Sequence, residues 1–173
     1  MAPCAIRPVC EAHLEALSAL LIEAVAGGGS VSFMDPLAPE EARAFWSGAL
    51  ASAARGERVI LGAFSGEELA GTASLFLDLP PNQPHRAEIG KLLTAQAWRG
   101  RGIASALMAA VEAEALRRGR WLILLDTAEE GGAAELYEKL GYRRAGLIPD
   151  YAFKPQGGLT GTILLWKRLA PAD

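Results

Sequence analysis

One six-residue stretch constrains this chain more than any other: Arg99-Gly100-Arg101-Gly102-Ile103-Ala104. It lies between an apolar, strand-like run at residues 89–93 and a helix-like run at residues 103–116. Gly100 and Gly102 lack a Cβ, so the backbone can turn sharply there and approach a ligand closely. The helix that follows begins with N–H groups that have no intrahelical partner, and its dipole favours negative charge at that end. With two arginines in the same turn, the stretch reads as a cradle for phosphate.

Two well-known cradles do not fit it. A P-loop needs Lys and then Ser or Thr after its second glycine, and Gly102 is followed by Ile103-Ala104. A dinucleotide fingerprint wants a third glycine where Ser105 stands. Asp126, ending a later apolar run, sits where a ribose-binding acid would be, but the loop before Gly100 is longer than that tight turn allows. The unit also lies mid-chain, without a second mononucleotide-binding half.

The rest of the chain alternates strand and helix patterns. Residues 5–9 read as an opening strand, followed by a helix with Leu14, Leu17, Leu21 and Val25 on one face. Gly27-Gly28-Gly29-Ser30 ends that helix, and a second starts near Pro39 with Ala42, Phe45, Trp46 and Leu50 on a common side. Residues 58–64 and 69–77 read as strands joined by a hairpin, and residues 86–94 as a strand after a proline-rich loop. The helix after the cradle shows Ala104, Met108, Val111 and Ala115 as its stripe. Residues 121–125 are expected to be a strand covered on both faces. A short helix carries Ala133, Leu136, Tyr137 and Leu140, with Gly141 suited to its C′ position. Strands at 142–147 and 160–167 close the pattern, joined by a loop over 149–158. Loops 27–38 and 149–158 are the expected substrate loops.

Charge and composition narrow the partners. A net charge of −3 gives no reason to expect nucleic acid or an anionic membrane. No apolar run approaches the ~18 residues of a membrane span, and the first residues lack a secretory pattern, so the expected compartment is the cytoplasm. Cys4 and Cys10 are expected to stay reduced, and no His, Cys or carboxylate cluster has metal-ligand spacing, so no metal is expected. His13 and His85 read as isolated surface or helix-face residues.

Arg99-x-x-Gly102-x-Ala104 resembles the Arg/Gln-x-x-Gly-x-Gly/Ala signature of the GNAT superfamily, the Gcn5-related N-acetyltransferases. The preceding residues 91–98 resemble that family's strand and connecting loop. Residues 133–142, Ala-Ala-Glu-Leu-Tyr-Glu-Lys-Leu-Gly-Tyr, resemble its tyrosine-bearing helix closed by Gly-Tyr. Asp126-Thr127, the run Gly146-Leu147-Ile148-Pro149-Asp150-Tyr151 and the closing Trp166-Lys167 further resemble the tabtoxin-resistance-type branch, whose members acetylate a small amino-acid-like toxin. An asparagine that often precedes the tyrosine helix is absent; Glu130, Gly131 and Gly132 stand there. The resemblance implies an α/β fold, a mixed central sheet of about six to seven strands flanked by helices, as a single domain over residues 1–173.

It also implies acetyl-CoA as co-substrate. The backbone of Arg99, Gly100, Arg101, Gly102, Ile103, Ala104 and Ser105 would hold the pyrophosphate, with Arg101 adding a charge-assisted contact. Leu92, Leu93 and Thr94 would pair through their backbone with the pantetheine arm, and an N–H near Leu92 would polarise the thioester carbonyl. Because an alkylamine with a pKa near ~10.4 is protonated at neutral pH, a base is needed. Glu88 and Asp126 are the candidates, Asp126 by its place at a strand C-terminus and Glu88 as an ammonium-binding or water-mediated group. Tyr137 is the candidate acid for the departing thiolate.

The expected activity is direct acetyl transfer, in a ternary complex, to a primary amine of a small, amino-acid-like or toxin-like molecule. A protein or peptide N-acetyltransferase is the enzyme alternative, favoured by an open acidic groove. A non-catalytic acyl-CoA-binding regulatory module is the other, and retention of Tyr137, Asp126 and Glu88 argues against it. A homodimer is the expected assembly by analogy with relatives.

Overall fold

The structure, a computed structural model, describes residues 4–169. Seven strands form one sheet: β1 (Ala5–Pro8), β2 (Arg58–Ser65), β3 (Glu68–Phe76), β4 (Arg86–Thr94), β5 (Leu122–Ala128), β6 (Arg143–Phe153) and β7 (Leu159–Arg168). Their spatial order is β1-β2-β3-β4-β5-β7-β6. The helices are α1 (Leu14–Ala26), α2 (Pro39–Ala54), α3 (Ile103–Arg117) and α4 (Ala133–Lys139). This is the mixed α/β sheet of about six to seven strands flanked by helices that the resemblance implies.

Strand alternation divides the core in two. On one face Ile60, Phe64, Leu69 and Leu93 meet α1 through Leu17, Leu21 and Val25, and α2 through Ala42 and Trp46. On the other, Leu61, Ala73, Leu75 and Ile89 meet α3 through Ile103, Leu107, Met108 and Val111. Tyr137 of α4 joins this second cluster. Period-two residues thus feed both layers from one strand, as a sheet covered on both faces requires. Leu107 is fully buried between α3 and the sheet, and its truncation to Ala should cost ~2–5 kcal/mol.

Two irregularities place the site. β4 and β5 are parallel neighbours, joined by the α3 crossover, but their pairing runs only from Arg86↔Leu122 to Glu88↔Leu124. Beyond Glu88 the strands part, β5 staying with β7 and β4 with β3. Within the open half, Ser74 pairs with Gly90 and Thr72 with Leu93, so Lys91 and Leu92 stand opposite Ala73 alone. This is a bulge, and Lys91 adopts a left-handed φ of 52° within it.

The structure corrects three expectations of detail. The α3 stripe begins at the buried Ile103, with Ala104 only half-buried, because the first turn leans its outermost apolar residue onto β3. β5 is not covered on both faces: Leu122 and Leu124 are half-buried and Asp126 is exposed, since α1 and α2 pack on β2, β3 and β4. Residues 149–153, expected in a loop, continue β6 to Phe153. Pro149 is tolerated because β6 is an edge strand, where a missing N–H costs no ladder bond. Pro149, Asp150 and Tyr151 bulge there opposite Gly161.

Candidate active site

A glycine turn and the start of α3 form one end of the candidate site. Gly100 and Gly102 both adopt left-handed backbone, with φ of 73° and 77°, and Gly102 is the N-cap of α3. A Cβ built at either would meet nothing within 4 Å, so the space over this turn is open. Ala106 N–H makes the first helical bond, to the Gly102 carbonyl at 3.0 Å. The N–H groups of Ile103, Ala104 and Ser105 therefore have no partner inside the helix and meet the open side of the turn. Arg99 lines the adjoining cleft. Arg101 does not; its guanidinium lies 4.8 Å from the Trp98 ring centre, while the Trp98 indole N–H donates to Glu68 at 2.8 Å.

The cleft itself is the gap where β4 and β5 separate. It holds about 390 Å³ and is walled by residues 89–94 of β4, by Asp126, Thr127 and Ala128 of β5, and by Tyr137 and Tyr151. Leu92, Leu93 and Thr94 all line it. Among the described residues, backbone groups of β4 on the side facing β5 have no strand partner after Glu88. An extended polar chain laid in the gap would meet those groups as an added strand would. The pantetheine arm of acetyl-CoA has that form, with amides along a thin chain, and its pyrophosphate would fall at the N-terminus of α3. A larger groove of about 720 Å³, between α2, α3 and the β1–β2 edge, is lined by residues such as Ile6, Val59, Leu61 and Ala110. It lacks the paired glycine turn and the α3 N-terminus that adjoin the β4–β5 cleft.

Asp126, Tyr137 and Lys91 all present side chains in the cleft lining. Asp126 accepts a hydrogen bond from the Thr162 hydroxyl at 2.9 Å, which fixes one carboxylate oxygen. Tyr137 is almost wholly buried, yet its hydroxyl donates to none of the described residues. Burial, with the negative charge of Asp126 second, pushes that phenol up to about 12. Lys91 donates from Nζ to the Val31 carbonyl at 2.9 Å and lies 3.1 Å from the Ser32 hydroxyl. Glu88 is placed differently from the expectation: it is outside the cleft lining, and Arg86 holds it at 2.6 Å. It belongs to the last pair of the closed half, one step before the strands part.

Lys91 and Thr162 were not legible as site residues. The one signal for Lys91 is that it is the single charge in the run Ile89-Gly90-Lys91-Leu92-Leu93-Thr94. Among the described residues no group of His, Cys, Asp and Glu could hold a metal ion, and no helix is long and apolar enough to cross a membrane.

The model of the acetyltransferase (GNAT) family matches residues 21–142, well over half of the sequence. The chain belongs to this family. GNAT enzymes transfer acetyl from acetyl-CoA, and the phosphate turn, the open β4 edge and the tyrosine helix all lie within the matched residues. Solved structures share the fold. An N-acetyltransferase from Staphylococcus aureus Mu50 superposes with a TM-score of 0.83 at 20% identity, over 98% of this chain and 100% of that one. The ribosomal-protein-alanine N-acetyltransferase from Brucella melitensis gives 0.82 at 24% identity, over 95% and 99%. yncA from Salmonella typhimurium, solved with its cofactor acetyl-CoA, gives 0.82 at 18% identity, over 99% and 97%.

Proposed function

We propose that this GNAT enzyme acetylates the primary amine of a small, amino-acid-like molecule by direct transfer, with Asp126 accepting the ammonium proton and Tyr137 assisting departure of the CoA sulfur. The observation that carries this reading is the meeting of Asp126 and Tyr137 in one cleft, at the end of an open β4 edge. Leu92, Leu93 and Thr94 supply backbone to the pantetheine arm, and an N–H near Leu92 polarises the thioester carbonyl. The cradle of Arg99, Gly100, Gly102, Ile103, Ala104 and Ser105 takes the pyrophosphate, with Arg101 at its rim.

The proton steps follow from the environments. The ammonium gives one proton to the Asp126 carboxylate, and the freed amine forms the C–N bond at the acetyl carbon. The C–S bond breaks with its electron pair going to sulfur, and the acylated nitrogen gives its second proton to the departing thiolate, which leaves as the CoA thiol. Tyr137, at about 12, keeps its O–H throughout the working range. It is a weaker acid than a free thiol at ~8.5, so full transfer to a free thiolate runs uphill by ~5 kcal/mol. Tyr137 therefore acts chiefly as a hydrogen-bond donor to the developing thiolate. Much of the rate comes from holding amine and thioester together. Glu88, held by Arg86, is the secondary carboxylate, acting on the acceptor through water.

The likeness of Asp126-Thr127 and of residues 146–151 to the tabtoxin-resistance-type branch supports an amino-acid-like acceptor. A peptide acceptor is the second reading. The Brucella melitensis neighbour is named for a ribosomal-protein alanine, and residues 31 and 32 together with Tyr151 line the cleft here. Thiol release from acetyl-CoA across amino acids, polyamines, amine antibiotics and peptides tests the choice. Turnover confined to free amino acids is the expected outcome, and preference for peptides would replace it.

A homodimer through β6 and β7 completes the reading. Leu147, Ile148, Tyr151, Phe153, Leu159 and Leu164 are 38–63% exposed, and all lie on these two strands. They alternate between the two faces of the sheet, Leu147, Phe153 and Leu159 on one and Ile148 and Leu164 on the other, so a pair through this edge would wrap both faces of β6. Light scattering should give a dimer that Phe153→Glu converts to monomer; a monomeric wild type would remove this element.

A further inference from the structure

We propose that Lys91 selects the acceptor: its ammonium receives a carboxylate carried beside the acceptor amine, while Asp126 receives the amine itself. The proposal rests on the reading of this cleft as the acetyl-transfer site and adds the chemical feature that the site demands of its substrate.

Lys91 is a half-buried cation in the cleft wall with no carboxylate within ion-pair distance among the described residues. Its partners are neutral: the Val31 carbonyl at 2.9 Å, the Ser32 hydroxyl at 3.1 Å and the ring centres of Phe45 and Phe33 at 5.5 and 5.9 Å. A charge in such surroundings is destabilised unless an anion joins it. Burial accordingly pulls the ammonium below the ordinary lysine range, with Asp126 opposing the shift and Arg58 adding to it. An arriving carboxylate would relieve that cost.

Position excludes the phosphates of the donor. The Lys91 ammonium reaches residues 31 and 32, in the segment between α1 and α2, on the sheet face covered by those helices. The phosphate cradle opens α3, on the other face. Backbone strain marks the same place. Among the described residues three non-glycine residues have left-handed φ, namely Ser32 at 76°, Lys91 at 52° and Asp150 at 52°. Ser32 and Lys91 line the cleft and touch one another, and Asp150 immediately precedes Tyr151, which lines it too. Such conformations are unfavourable for residues with a Cβ and persist only where the surrounding structure holds them. Lys91 and Asp126 feel one another's charge without pairing, so a cationic and an anionic receptor stand apart across one cavity. A zwitterion with its ammonium next to its carboxylate complements that pair.

The test compares each common α-amino acid with its carboxamide, by thiol release and, independently of turnover, by the melting shift each causes in the CoA-bound enzyme. In the wild type, kcat/KM should favour the carboxylate by tenfold or more, and only the carboxylates should raise the melting temperature. Lys91→Met should lower the ratio at least tenfold and abolish the melting shift, Lys91→Arg should keep the ratio within about threefold, and the KM for acetyl-CoA should hold within twofold in both. A wild-type ratio near one, absence of a melting shift in the wild type, or an unchanged ratio in Lys91→Met would overturn the proposal. So would a tenfold rise in the KM for acetyl-CoA, which would assign the lysine to a donor phosphate. Loss of the transfer reading has a different signature, in which acetyl-CoA neither binds nor releases thiol with any acceptor.

Discussion

Replacing Gly102 by Ala separates the two consequences that the phosphate turn assigns to one residue. Gly102 has φ of 77° at the N-cap of α3, and an added Cβ would meet nothing within 4 Å. The stability cost is then left-handed strain alone, ~1–2 kcal/mol, or a fall of ~2–8 °C in Tm for a chain of this size. The methyl group would stand in the open space where the pyrophosphate meets the N–H groups of Ile103, Ala104 and Ser105. Losing one charge-assisted bond there costs ~1.5–3 kcal/mol, which weakens acetyl-CoA binding by ~10–150-fold. Gly56→Ala is the matched control: φ is 78°, a Cβ there also meets nothing within 4 Å, and the residue lies in the turn between α2 and β2, outside the cleft. Calorimetry with acetyl-CoA and thermal melts on both variants give four numbers. Similar Tm losses with an affinity loss only for Gly102→Ala are expected. A folded Gly102→Ala protein with wild-type affinity, or equal affinity losses in the two variants, would refute the cradle.

Three further outcomes follow from the site. Tyr137→Phe should lower kcat by roughly 10–100-fold, the worth of one hydrogen bond to a developing charge, with the KM for acetyl-CoA changed far less in steady-state assays. In alkali, Tyr137 at about 12 lies above its unfolded value of 10.0, so its contribution is complete below pH 10 and lost as pH rises through 12; denaturant melts should show wild type losing ~2.7 kcal/mol from this group across that window, and Tyr137→Phe should lack that part. Asp126→Asn should reduce kcat/KM by ~10²-fold or more and alter the acidic limb of its pH profile, whereas Glu88→Gln, outside the cleft lining, should reduce it less than about tenfold; the reverse ranking in full pH–rate profiles would exchange their roles.

Much of the architecture was readable because local pattern and tertiary packing agree. The stripes of α1 and α2 and the hairpin of β2 and β3 bury the residues that their periodicity selects. The β6 edge was misread because Pro149 signals a break, and only the sheet order shows that it stands where no ladder bond is needed. A strand end and a helix motif point to Asp126 and Tyr137, and both line the cleft. No such signal marks Lys91, whose place in the cleft arises from a bulge whose register depends on β3, some twenty residues earlier. Glu88 shows the converse. It sits on the right strand, but the point where β4 and β5 part falls just after it, and no local sequence signal marks that point.

The central claim is that acetyl-CoA lies in the gap between β4 and β5 with its pyrophosphate on the N-terminus of α3. Amide hydrogen exchange with and without acetyl-CoA measures this directly. The account requires new protection in the open half of β4, residues 89–94, and at residues 103–105, with little change along β1 and β2. Protection confined to the groove between α2, α3 and the β1–β2 edge, with residues 89–94 and 103–105 unaffected, would contradict it.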